Sequence, residues 1–154
     1  MTSPTQRHVS RGGLLAHLCR RFFHLGVFIL LPWLYFSYFT VWSRGLGCQP
    51  TTLLYSLMLV VVLLEAIRLK CRYVLWGMRD YEAHQVSAMA WGASAVMLTL
   101  SLSPAPGYAY ALCWTCAWVD PMVGELKRYL PNVFVYVIAV LVAALIWFYC
   151  VNAF

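Results

Sequence analysis

Apolar residues run in long blocks, broken by short charged or Gly- and Pro-containing stretches. The first block, residues 22–42, has the length of about 20 residues that a helix needs to cross ~30 Å of hydrocarbon. Pro32 predicts a kink inside it. Trp33, Tyr35, Tyr38 and Trp42 suit an interface or a bundle interior. Residues 43–49 read as a turn, and Pro50 with Thr51 and Thr52 as a helix start, where proline is tolerated. A second helix is predicted over residues 50–78. Its apolar part, 52–65, rises only ~20 Å. A span begun at the outer interface therefore leaves Glu65 about 10 Å short of the inner one. Arg68 lies one turn further along the same face.

A third span, 83–103, is rich in small residues (Ser87, Ala88, Gly92, Ala93, Ser94 and Ala95), which allow close helix packing in lipid. A fourth, 105–119, is short at ~22 Å. Asp120 before Pro121 predicts its end, because the residue preceding proline is biased towards extended backbone. The last span is predicted over 131–154. The pattern predicts an all-α, multi-pass transmembrane bundle of about five spans (22–42, 50–78, 83–103, 105–119, 131–154), one unit over 22–154, preceded by a basic arm over 1–21.

Composition and charge sharpen this picture. Only 10% of residues are charged and 63% are hydrophobic, against about 25% charged in a soluble domain. The net charge of +6 would suggest nucleic acid in a soluble protein. In a membrane chain the positive-inside rule accounts for it, so no nucleic-acid partner is implied. Five spans place every Lys and Arg except Arg44 on one side, together with all five acids. The N-terminus is therefore expected in the cytoplasm. The arm reads as a short cytoplasmic segment. The apolar block after it is too long for a signal peptide and lacks a small-x-small exit, although its acid-free Ser, Thr and Arg content also suits an organelle transit peptide. No row of charges crosses the bundle, which disfavours a channel or proton-coupled carrier.

Candidate chemistry gathers at the cytoplasmic interface. Glu65 with Arg68 is either a structural ion pair or part of a site, because an acid in hydrocarbon needs a partner or a purpose. Arg79, Glu82 and His84 form a polar turn before the third span. Haem between His24 and His84 is a minor reading. Cys113 and Cys116 form a CxxC, so a thiol-redox membrane protein is a third reading, although the six cysteines do not form the pattern of a secreted disulfide framework. Asp120 within Trp118–Arg128 is a carboxylate at headgroup depth, suited to a divalent metal or to taking a proton from a lipid alcohol. Arginines grip phosphate, so Arg21, Arg68 and Arg79 beside these acids suggest phosphoryl transfer to a lipid alcohol.

These stretches resemble the CTP-dependent polyprenol kinases, the family of dolichol and phytol kinases. Arg20-Arg21-Phe22-Phe23-His24 is similar to the family's Arg-Lys-x-x-His. Glu65-Ala66-Ile67-Arg68 resembles its Glu-x-x-Arg, and Arg79-Asp80-Tyr81-Glu82 its Arg-x-x-Glu. Val119-Asp120-Pro121-Met122-Val123 loosely resembles its Gly-Asp-x-x-Ala, with Val119 in place of the glycine. The family's Lys-Ser-x-Glu-Gly nucleotide segment has no counterpart. The resemblance implies an isoprenoid alcohol as acceptor and a nucleoside triphosphate, CTP by resemblance, as donor. It implies magnesium, with Asp120 holding it or acting as base and Glu82 assisting. Arg21, Arg68 and Arg79 would bind phosphate, and His24 would orient the alcohol. The alternative is a non-catalytic integral membrane subunit or scaffold, with a membrane-protein partner or a homo-oligomer.

Overall fold

The computed structural model describes residues 13–154, without the side chains of Leu14 and His17. The expected arm therefore lies partly outside the described residues, Arg7 and Arg11 included. Among the described residues the fold is all-α, with five long helices and no strand. Helix α1 is continuous through Gly13–Leu34, a π-helical turn Tyr35–Phe39, and Thr40–Gly45. It begins before residue 22, so part of the expected arm is helical. The widened turn follows the buried Pro32. Proline supplies no N–H to the preceding turn and its ring crowds the carbonyl four residues back, so the ladder changes register there.

Helix α2 is Pro50–Cys71, shorter than the predicted 50–78. Arg72 stops it by taking a left-handed conformation (φ 53°). The Arg72 N–H then bonds the Leu69 carbonyl and the Tyr73 N–H bonds that of Arg68, at 3.1 Å each. This two-bond stop usually employs glycine, so residue type gave no warning of it. A 3-10 turn, Asp80–Ala83, follows. Helix α3 is Ala88–Leu102, not 83–103. It starts where the Ser87 hydroxyl accepts the Ala90 N–H at 3.1 Å, satisfying a donor that a helix start leaves orphaned. Its 15 residues rise only ~22 Å.

Helix α4, Pro106–Leu126, overturns the predicted stop at Asp120. The bias of a residue before proline is a tendency only, and neighbouring helices can hold a proline inside a helix of an apolar bundle. Helix α5 is Asn132–Ala153. Three helical stretches, Leu18–Gly45, Pro50–Cys71 and Asn132–Ala153, are long and apolar enough to cross a membrane.

Helix α1 packs on α3 and α4, α2 packs on α3, and α5 packs on α4. Phe28, Tyr35 and Phe39 of α1 meet Leu54 of α2, Val96 and Leu100 of α3, and Cys113 and Ala117 of α4 in one buried core. Where α4 crosses α5, a Cβ on Gly107 would lie 2.8 Å from the Cys150 carbonyl oxygen. Only glycine permits that approach without movement of one helix. This packing brings the first turns of α1, the last turns of α2 and α4, and the start of α3 together at one end of the bundle. The charged side chains gather there.

Candidate functional site

Two polar arrangements occupy the charged end. The first is closed and centres on the buried Arg68. Its Nε donates to Glu65 Oε2 at 2.9 Å and its Nη2 to Glu65 Oε1 at 2.8 Å. Its remaining donors reach the carbonyls of Tyr73 (3.1 Å), Glu82 (2.7 Å) and Gln85 (2.8 Å). All five guanidinium N–H groups are thus used. Glu65 also accepts the Ser87 N–H. Glu82, 2% exposed, accepts the backbone N–H groups of Arg79 (2.7 Å) and Ala88 (3.1 Å) and a 3.3 Å bond from Arg20. The network ties the segment between α2 and α3 to the end of α2 and to α1.

The second arrangement is open. A cleft of about 540 Å³ lies among the start of α1, the start of α3 and the end of α4. Arg20, Arg21 and His24 line it from α1, Arg79 from the turn before α3, and Asp120 from α4. Because α4 continues past Pro121, Asp120 is carried on a helix face. Arg21 pairs with Glu125 of α4, and Glu125 also lies 3.3 Å from Arg128. The Arg79 guanidinium donates to the Tyr81 hydroxyl at 2.7 Å and lies over its ring. His24 Nε2 is 3.4 Å from the Cys116 carbonyl oxygen, and its ring packs on Phe28. Asp120 is exposed and, among the described residues, is the only carboxylate lining the cleft. Each guanidinium is thus oriented by a neighbour, and Arg20 and Arg79 keep donors to spare. Oriented guanidinium groups suit a phosphate's oxygens.

Of the expected site residues, Arg21, His24, Arg79 and Asp120 share this cleft. Glu65 and Arg68 do not line it, and their donors and acceptors face each other and the backbone. Glu82 does not line it either, and both its oxygens are engaged. His84 is exposed and away from His24's cleft. Among the described residues no three His, Cys, Asp or Glu side chains gather as metal ligands. The magnesium expected at Asp120 would find a single protein carboxylate there, so its other oxygens would have to come from a bound ligand's phosphates and water. Cys113 is buried, Cys116 is exposed, and both are free thiols.

Sequence reading passed over Glu125 and Tyr81 as the groups that hold Arg21 and Arg79. Glu125 had a signal, since an acid in the last turn of α4 disfavours a helix end unless a cation meets it. Comparison of the chain with protein-family models, with curated proteins and with solved structures finds no match.

Proposed function

We propose that this chain is a multi-pass integral membrane protein, N-terminus in the cytoplasm, that handles the phosphate of an isoprenoid lipid at the cytoplasmic interface. The activity proposed is phosphoryl transfer from a nucleoside triphosphate to an isoprenoid alcohol. The observation that carries it is the meeting of Arg21, His24, Arg79 and Asp120, from three separated stretches, in one cleft. The alcohol oxygen would attack the terminal phosphorus as the bond from that phosphorus to the bridging oxygen breaks. The hydroxyl proton passes to Asp120 and the nucleoside diphosphate leaves. Arg20, Arg21 and Arg79 would neutralise the phosphate oxygens during transfer, and His24 would orient the hydroxyl. The resemblance to polyprenol kinases supports the same reading.

A second reading has its own support. Arg20 and Arg21 are already paired with Glu82 and Glu125, and the sequence carries no counterpart of the family's nucleotide segment. In that reading the cleft holds a phosphate-bearing lipid without transfer, as part of a membrane subunit. The test is purified protein in neutral phosphatidylcholine nanodiscs with labelled CTP, ATP, GTP or UTP and prenols of several lengths. Transfer that disappears in Asp120→Asn supports the kinase reading. No transfer, with retained binding of farnesyl monophosphate, supports the second. Neither transfer nor binding sinks both.

A further inference from the structure

Beside the polar cleft lies a second concavity of about 650 Å³, on the other side of a single layer of side chains. Phe23, Met89 and Ala93 line both. The second concavity is almost wholly apolar. Val61, Leu64 and Ile67 of α2 form one wall, and Leu75 and Met78 of the following segment form another. Glu65 and Arg68 also line it, but they are spent on each other and on backbone carbonyls and the Ser87 N–H. They offer a ligand no free polar group. Leu64 and Ile67 are exposed, as are Leu75 and Trp76, so the groove opens on the apolar flank of a helix long enough to span a bilayer.

A basic cleft and an apolar groove sharing one wall have the shape of an amphiphile with a single head and a single chain. We infer that the groove holds the hydrocarbon chain of the lipid whose phosphate or hydroxyl end occupies the cleft, the chain passing over Phe23 and Met89. This rests on the proposed reading of the cleft and adds the path of the tail. Bilayer chains are as apolar as the groove, so groove burial adds little affinity of its own. Its effect is positional: it fixes the direction in which the chain leaves and so aims the reactive end at Asp120 and His24. Phe23 is about half exposed, and its ring can turn aside without disturbing the core.

The test is photolabelling in phosphatidylcholine nanodiscs with farnesyl monophosphate bearing a diazirine on its last isoprene unit. Excess unlabelled farnesyl monophosphate is the competitor. Competed label is expected on the peptide covering residues 61–78 and on Phe23. Leu64→Trp, at an exposed position that fills the groove, is expected to move that label elsewhere while leaving headgroup competition intact. Arg79→Ala is expected to weaken competition, shifting it to higher competitor concentration. Competed label confined to other faces, such as the outer surface of α5, overturns the tail path and leaves the phosphate reading standing. Label spread over α2 and α5 that no competitor reduces marks bulk bilayer contact and overturns both.

Discussion

The closed network and the open cleft use the same residue types within a few turns of each other, yet they differ in what is left over. Around Arg68 every donor has an acceptor, and both carboxylates are filled by N–H groups. Around Asp120, Arg20 and Arg79 keep unused donors, and the carboxylate meets no donor among the described residues. A buried charge needs all its bonds made, whereas a binding group must keep some free for the ligand. The closed set therefore holds the fold at this end, and the open set is the part available to a ligand. The two are joined, because Arg20 and the Arg79 backbone both bond Glu82.

The sharpest way to break this contrast is Arg68→Ala. It strands Glu65 and the carbonyls of Tyr73, Glu82 and Gln85, and removing one partner of a buried pair costs about 3–5 kcal/mol. A large fall in the midpoint of thermal unfolding in detergent is expected. A midpoint within a degree or so of the parent would show that the network does not hold the fold. Glu82→Gln comes next. One oxygen becomes an NH2 that faces a backbone N–H, a mismatch worth about 1–3 kcal/mol. It should also loosen Arg79, so phosphate-lipid binding is expected to weaken along with stability. If binding is unchanged while stability drops, the network does not position the cleft. Gly107→Ala tests a region remote from both. Its Cβ would sit 2.8 Å from a carbonyl of α5, and forcing two packed helices apart costs about 1–3 kcal/mol. Chemistry at the cleft should survive this substitution at a temperature where the protein is folded.

Helix number and the clustering of charge were legible because apolar blocks of spanning length and a one-sided basic count are coarse signals that packing does not override. The helix ends were not. Arg72 stops α2 in a conformation that usually selects glycine, and Pro121 sits inside a helix where its sequence context predicted an exit. The first is sealed by backbone bonds to Leu69 and Arg68 that carry no residue-type signature, and the second runs against a pre-proline bias that is only a tendency. The cleft was half legible. Its members were recognisable as an unlikely set of polar groups at one depth, but sequence could not sort Asp120 from Glu82 or Arg79 from Arg68. That sorting depends on how many bonds each group has already made. Glu65 and Arg68, one turn apart on one helix, could be expected to pair. The three carbonyls that complete Arg68 come from a segment with no periodic pattern to place it.

The smallest expected effect on stability is the most informative about function. Asp120 is exposed and has no hydrogen bond or ion pair among the described residues, so Asp120→Asn should leave the unfolding midpoint nearly unchanged, within about 0.5 kcal/mol. Arg79→Ala removes one bond to an exposed tyrosine and should also cost no more than about 1 kcal/mol. Their effects on ligand should diverge. Losing Arg79 removes a phosphate donor and should weaken binding of farnesyl monophosphate. Losing the Asp120 charge removes repulsion between a carboxylate and the bound phosphate, so binding should be equal or tighter while any phosphoryl transfer falls by at least about a hundredfold. Titration of both variants in nanodiscs, alongside the transfer assay, reads these signs directly. If Asp120→Asn unfolds the protein, the division between the two polar regions is wrong. If it binds phosphate lipid more weakly, Asp120 contacts the ligand as an acceptor and the cleft is oriented towards the hydroxyl rather than the phosphate.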